Sequence, residues 1–211
     1  MRVGNPLVSE NIVRADAGTR ASLGIPENAK FVLLSFGGSR GAAPINENML
    51  AFIAEYAPAH PEIYFVHATG SAGYAEFCEK AENLGISALK NVRIMEYIYD
   101  MPVWEAAADM VICRAGAMTI SEMALGKKAC VFIPSPYVAE NHQYMNAKVL
   151  ADADAAMLIE EKDLSPASLR AYVEEIAGNS KKACALRENI EKFAFRGVAE
   201  AIYEDIKQMT K

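Results

Sequence analysis

The sequence predicts an α/β protein built on a doubly wound, Rossmann-like parallel sheet. Three observations lead there. Short continuous apolar runs recur along the chain, as in strands buried on both faces of a parallel sheet. Stretches with helical spacing of apolar residues alternate with them, which is the βαβ pattern. No internal repeat, low-complexity segment or linker divides the 211 residues into two cores, so one domain accounts for them.

Each element follows from its residues. Phe31 to Phe36 (FVLLSF) is a first strand, ended by Gly37-Gly38. A helix is predicted from about Ala42 to Ala57, with Ile45, Met49, Phe52, Ile53 and Tyr56 on one face and Pro44 tolerated in its first turn. Ile63 to His67 is the next strand. The following helix carries Tyr74, Phe77, Cys78, Ala81 and Leu84, and Gly85 ends it. Strand Val92 to Met95 leads to a short helix near Met101 to Ala107, and strand Met110 to Cys113 runs into a second small-residue turn and helix. Ala129 to Ile133 is a strand closed by Pro134-Ser135-Pro136. A helix from about Asn141 to Ala151 precedes a last short strand, Ala156 to Ile159. Beyond it the pattern is helical only, marked by Leu169, Val173 and Ile176, then Leu186, Ile190 and Phe193, then Val198, Ile202 and Ile206.

Composition narrows the function classes. With 52% apolar and 23% charged residues the chain buries a substantial core. A net charge of −6 argues against broad binding to nucleic acid or to an anionic membrane. The four cysteines are scattered without a C-x-x-C pair, and Cys113 and Cys130 read as reduced core residues, which fits a cytoplasmic protein. No apolar run approaches the roughly 20 residues of a spanning helix. There is no H-E-x-x-H pair and no D-x-D motif, so neither a metal site nor a cofactor is expected.

In a doubly wound sheet, ligands bind beyond the carboxyl ends of the strands, and every unusual loop here leaves a strand at that end. The turn after Cys113 is the most informative. Ala117, Met118 and Thr119 open a helix whose unpaired N–H groups suit a phosphate, and Ile120, Ser121 and Glu122 follow within a turn. The Glu122 carboxylate can accept two hydrogen bonds from neighbouring hydroxyls, as on a ribose. The alternative is an ordinary capped helix with a first-turn acid. Gly37, Gly38 and Gly41 let the backbone turn and approach a ligand, while Ser39 offers a hydroxyl, although this is neither G-x-G-x-x-G nor a P-loop. Glu96 to Met101 could wall a flat base, or be an aromatic loop in which Asp100 caps the next helix. Gln143 and Asn146 share a helix face and offer amides to sugar hydroxyls, with His142 beside them; capping at a helix start is the plainer reading. Together these pieces suit a nucleotide-sugar.

Gly4-Asn5-Pro6, Ser35-Phe36-Gly37-Gly38-Ser39-Arg40-Gly41-Ala42, Cys113-Arg114-Ala115-Gly116-Ala117-x-Thr119-x-Ser121-Glu122 and His142-Gln143-x-x-Asn146-Ala147, in that order, resemble the MurG family of peptidoglycan transferases. The resemblance covers nearly the whole chain but only the family's carboxyl-terminal half. It implies a GT-B architecture, in which two Rossmann-like domains enclose the active site and the carboxyl-terminal one binds UDP-GlcNAc. Residues 1–28 would then be a junction segment, 29–160 the sheet core and 161–211 carboxyl-terminal helices. By the same resemblance, Ile98 meets uracil through its backbone and Glu122 holds the ribose hydroxyls. Ser39 with Ala117, Met118 and Thr119 faces the diphosphate, and Gln143, with His142 and Asn146, reads the GlcNAc. The implied reaction is a metal-independent, inverting displacement that releases UDP and turns lipid I into lipid II. The base and the lipid-linked acceptor would belong to the amino-terminal domain, and the full enzyme would sit on the inner face of the cell membrane.

One departure concerns the donor. The family often follows Gly-Asn-Pro with a hydrophobic residue and an Arg, but here Leu7 and Val8 follow Pro6, leaving Arg14 and Arg40 as substitutes. The absent half leaves three alternatives to a donor-binding half of a transferase: a stand-alone UDP-sugar module, the donor subunit of a split glycosyltransferase, and a UDP-GlcNAc 2-epimerase. It also predicts an uncovered interdomain face that promotes self-association.

Overall fold

The computed structural model describes residues 4–6, 8 and 18–209. Among them six strands occur: β1 (Phe31–Phe36), β2 (Ile63–Ala68), β3 (Val92–Met95), β4 (Met110–Cys113), β5 (Ala129–Phe132) and β6 (Met157–Leu158). They form one parallel sheet in the order β3-β2-β1-β4-β5-β6. The intervening helices are α1 (Gly18–Ser22), α2 (Ala43–Tyr56), α3 (Tyr74–Asn83), α4 (Met101–Ala107), α5 (Ala117–Leu125), α6 (His142–Ala151), α7 (Pro166–Gly178), α8 (Ser180–Glu191) and α9 (Val198–Met209). The doubly wound sheet read from the sequence is the architecture observed.

The continuous apolar strands are explained by a helix layer on each face. Leu33, Phe65, Met110, Ile112 and Val131 pack against Ile45, Met49, Phe52 and Ile53 of α2, with α3 and α7 completing that layer. Val32, Leu34, Val66, Val111, Cys113 and Phe132 pack against Trp104 of α4, Met123 of α5 and Leu150 of α6. Each such side chain contributes roughly 1.5–3 kcal/mol through burial, which outweighs any local propensity.

Several predicted boundaries shift by a residue or two. β2 extends to Ala68, whereas β6 shrinks to Met157–Leu158 because β5 alone pairs with it. Gly85 ends α3 as expected, with φ of 71° in the left-handed region that side chains disfavour. Asp100 stands at the start of α4, yet its side chain makes no capping bond; the turn is closed by main-chain bonds from Val103 and Trp104 to its carbonyl.

Among the buried polar residues, four form a network behind the carboxyl ends of β1 and β2: Ser35, Asn46, His67 and Thr69. Ser35 Oγ donates to His67 Nδ1 at 2.8 Å, and His67 Nε2 donates to Asn46 Oδ1 at 3.2 Å. The tautomer follows from Asn46 Nδ2, which donates to the Thr69 carbonyl at 2.9 Å and so leaves only Oδ1 as acceptor. Burial pushes the imidazole down to about 3, so His67 is neutral and structural at physiological pH. The network holds Thr69 in place, and that residue supports the site.

Candidate functional site

The strand order reverses between β1 and β4, which are neighbours although Leu33 pairs with Met110 across 77 residues of sequence. A crevice opens beyond their carboxyl ends at such a switch point. Two loops border it, Gly37–Ala42 after β1 and Arg114–Gly116 after β4.

The first loop is held by close backbone contact. Gly41 has φ of 79°, and a Cβ there would lie 1.9 Å from the Thr69 carbonyl oxygen, so only glycine fits. Gly41 N–H donates to the Gly38 carbonyl at 2.9 Å, and the contact of Gly41 with Gly70 locks the loop against the one after β2. Gly37 also packs closely on Ala42, where a Cβ would lie 2.6 Å from the Ala42 nitrogen. Ser39 and Arg40 project from this rigid turn into solvent, and no described acid pairs with Arg40.

The second loop delivers an open helix start. Gly116 precedes α5 in an extended conformation without a side-chain cap, and the first helical bond runs from Ile120 N–H to the Gly116 carbonyl. No described group accepts from the N–H groups of Ala117, Met118 and Thr119. The capped-helix alternative therefore does not describe this turn, because Gly116 carries no side-chain oxygen. Ser121 turns inward on its own helix, donating to the Ala117 carbonyl at 2.9 Å. Glu122, the sixth helical residue, is half-buried and has no described hydrogen-bond partner; burial raises its carboxyl above the usual range.

Ile98 shows why a backbone role suits it. Its side chain is buried with Trp104 and Met123, while its N–H and carbonyl form no hydrogen bond with described residues. The exposed rings of Tyr97 and Tyr99 flank it, 5.1 Å apart and edge-to-face.

The amide residues of α6 are partly engaged by their own chain. Gln143 Oε1 accepts from Ser135 N–H at 3.0 Å, and Asn146 Nδ2 donates to the Ala115 carbonyl at 3.4 Å. Each keeps its other amide atom without a described partner, and the bonds fasten α6 to the turns after β5 and β4. His142 is exposed and donates from Nδ1 to the Ala139 carbonyl. Glu140 and Asn141, just before α6, adopt left-handed backbone with φ of 54° and 51°.

A groove of roughly 510 Å³ runs along this edge, bounded by Gly4 and Asn5, by Ala117, Ile120 and Ser121, and by Asn146. Gly4 packs against Phe195 and Val198, which brings the Gly-Asn-Pro segment to the start of α9 and beside α5. Val8 is half-buried near Leu125 and Val198. Leu7 and Arg14 lie outside the described residues.

Two features were not visible in the sequence. Arg114 donates to the Ile133 carbonyl at 3.0 Å and to Glu161 at 2.5 Å, tying the ends of β4 and β5 to the turn after β6. Glu105 of α4 is fully buried, and neither carboxyl oxygen has a partner. An acid flanked by Trp104 and three alanines was the available signal, but an exposed helix acid has the same appearance. Among the described residues no cluster of side chains could hold a metal ion, and no helix is long and apolar enough to cross a membrane.

Comparison with known proteins agrees with this geometry. Residues 32–202 match the glycosyltransferase family 28 C-terminal domain. A curated relative from Acetivibrio thermocellus, named UDP-N-acetylglucosamine–N-acetylmuramyl-(pentapeptide) pyrophosphoryl-undecaprenol N-acetylglucosamine transferase, is 37% identical over 99% of this chain and 55% of its own length. The crystal structure of Acinetobacter baumannii MurG superposes with a TM-score of 0.71 at 26% identity, covering 84% of this chain and 52% of that one. A UDP-GlcNAc 2-epimerase from Neisseria meningitidis shares the fold alone, with a TM-score of 0.65 at 12% identity, covering 90% of this chain and 47% of that one. The chain spans about half the length of the curated relatives it matches. On the match of residues 32–202, together with the GT-B-type sheet and its open carboxyl edge, the chain belongs to the glycosyltransferase family 28 C-terminal domain family.

Proposed function

We propose that this chain is the UDP-GlcNAc-binding half of an inverting N-acetylglucosaminyltransferase that converts lipid I to lipid II in peptidoglycan synthesis. The observation that carries the proposal is the start of α5. Unfilled N–H groups at Ala117 to Thr119 precede a half-buried, unpaired Glu122 by one turn, at the switch point of the sheet. The donors suit a diphosphate and the carboxylate suits the two hydroxyls of a ribose. The family and the name of the relative support the same reading.

In this reading uracil rests at the Ile98 backbone, between Tyr97 and Tyr99. The diphosphate spans the Gly37–Gly41 loop and the α5 start, with Ser39 and Arg40 beside it. Arg40 supplies the positive charge that Val8 does not. Gln143, His142 and Asn146 meet the sugar at the far end. When an acceptor hydroxyl attacks the anomeric carbon, the bond to the diphosphate oxygen breaks and negative charge grows on departing UDP. The helix N–H groups are already aimed where that charge develops, so they need no reorganisation. Removing one such donor would slow the reaction on the order of a hundredfold. The lipid-linked acceptor and the base are assigned to the half of the relatives that this chain does not span. Contact with the inner face of the membrane would come through that half.

Titration calorimetry with UDP-GlcNAc, UDP-glucose and UDP tests the proposal. The expected result is binding with preference for UDP-GlcNAc, weakened about a hundredfold in Glu122→Ala, since two hydrogen bonds to a charged group are lost. Equal binding by Glu122→Ala would remove the ribose role. No binding by the parent chain would overturn the donor-site assignment.

A further inference from the structure

The loop after β2 lies between the segments assigned above to the base and to the diphosphate, and it touches both. Thr69 and Gly70 follow directly on Ala68 at the end of β2. Their N–H groups face β3: Thr69 donates to the Met95 carbonyl and Gly70 to the Glu96 carbonyl, each at 3.0 Å. Those bonds anchor the strand end that leads to Ile98. The other side of the loop faces the glycine turn after β1. A Cβ on Gly41 would lie 1.9 Å from the Thr69 carbonyl oxygen, and one on Gly70 would lie 2.1 Å from the Gly41 nitrogen and 2.4 Å from the Arg40 carbonyl carbon. With no side chain between them the two main chains touch, so Arg40 and Gly41 sit where Thr69 and Gly70 put them.

The Thr69 carbonyl is in turn fixed from within the core. Asn46 Nδ2 donates to it at 2.9 Å, and the loop before α3 pins the amide, since a Cβ on Gly73 would come within 2.8 Å of that nitrogen. Asn46 Oδ1 is taken by His67 Nε2, and His67 Nδ1 by the Ser35 hydroxyl. All four residues are buried, and each polar atom of the relay has one matching partner, so the amide has a single orientation. Apolar side chains of the same shape would serve stability as well. What the relay adds is direction, and it points at the contact that carries the phosphate loop.

We propose that Asn46 is a positioning residue for the diphosphate: held by His67 and Ser35, it fixes the Thr69 carbonyl against Gly41 and so sets the Gly37–Gly41 loop where the diphosphate needs it, without touching the ligand. This rests on the assignment of that loop to the diphosphate. The two sides of Thr69 separate the consequences. Loss of the Asn46 donor frees the carbonyl and the loop packed on it. The N–H bonds to Met95 and Glu96 survive, so the segment at Ile98 stays in place. The relay therefore acts on the phosphate part of a nucleotide and leaves the nucleoside part alone.

The test compares UDP with uridine on the purified chain, Asn46→Leu, His67→Leu and His67→Gln, by calorimetry for UDP and by NMR titration for uridine. Asn46→Leu is close in size and removes the donor. It is expected to bind UDP about tenfold more weakly, the worth of one buried hydrogen bond, with uridine affinity within about twofold of the parent. His67→Leu leaves Asn46 Oδ1 unpaired and should lose UDP affinity in the same way. His67→Gln can place an N–H where Nε2 stood, and should restore most of it. Unchanged UDP affinity in Asn46→Leu, when the parent binds UDP more tightly than uridine, overturns the inference and leaves the loop assignment standing. Equal loss of UDP and uridine also overturns it, because the damage is then general. A parent chain that binds UDP no more tightly than uridine overturns the loop assignment, and the inference with it. Should the variants fail to fold, the parent decides through its His67 Nε2–H resonance. Coupling is reciprocal, so UDP should shift that resonance and uridine should not. No shift at saturating UDP, or an equal shift with uridine, overturns the inference.

Discussion

The two ends of the sheet treat a carboxylate in opposite ways. Asp109, at the amino end of β4, is held on every side: Arg20 donates to it at 2.6 Å, Val32 N–H donates at 2.8 Å, and Arg187 lies 3.7 Å away. Arg20 and Arg187 also bond the carbonyls of Ala107 and Asp109, so the cluster stitches α1, α4 and α8 beneath the sheet. At the carboxyl end, Glu122 is half-buried and has no described side-chain partner. A satisfied acid is part of the scaffold, whereas an unsatisfied one is available to a ligand. The same contrast holds for main-chain donors, since Asp109 takes up the Val32 N–H while the first N–H groups of α5 stay open.

That contrast can be broken by substitution. Asp109→Ala leaves two guanidinium groups and a main-chain N–H unmatched, and is expected to cost about 3 kcal/mol of stability. Denaturant melts would read the loss, while UDP affinity of the folded fraction should stay within twofold. A loss of binding as large as that of Glu122→Ala would erase the distinction between the two ends.

The pH dependence of stability sharpens it, because the buried ionisable groups titrate differently in the folded and unfolded chain. His67 is depressed to about 3, so the unfolded state takes up its proton first and stability falls as pH drops from 6.5 toward 3. Glu105 is raised to about 8, so its contribution is complete below about 4.5 and is lost as pH rises to 8. Lys128 is depressed to about 8, so stability recovers as pH climbs from there until about 9, above which the raised buried thiols of Cys113 and Cys130 offset the gain. Each slope approaches 1.4 kcal/mol per pH unit at most. The expected curve has a plateau near pH 4.5–6.5 and a minimum about 2 kcal/mol lower near pH 8. Glu105→Gln should remove the descent between them. A wild-type curve that rises steadily through pH 8 would contradict the burial argument.

A smaller effect is expected from Glu122→Ala itself. With no partner to lose, its stability should lie within about 0.5 kcal/mol of the parent, unlike Asp109→Ala. The smallest concerns the outer surface. Val149, Phe195 and Tyr203 are exposed, and Val149 and Phe195 line the groove at the start of α5. Light scattering should show mass rising with concentration, and a strict monomer throughout would contradict association through this edge.

The parallel sheet was legible because FVLLSF and MVIC are continuous apolar runs separated by helical periods, and long-range packing agrees with that local pattern. The Gly37–Gly41 turn was legible because a side chain at Gly37 or Gly41 would collide with neighbouring main chain, whereas Gly116, with ordinary backbone angles and open surroundings, is not sterically required. Capping was misread at Asp100, since a capping residue type does not ensure a capping bond. The Asp109 clamp could not be read, because its arginines lie 89 and 78 residues away. Glu105 escaped for a related reason. Its burial depends on how α4, through Trp104, packs on the cluster of sheet residues and Met123, which one acid in a seven-residue helix does not encode.

The most direct test of the account is a crystal structure of the chain soaked with UDP. Density with the ribose hydroxyls on the Glu122 carboxylate, the diphosphate at the N–H groups of Ala117 to Thr119 and uracil at the Ile98 backbone is the predicted result. UDP bound elsewhere on the chain, with the start of α5 open to solvent, would contradict it.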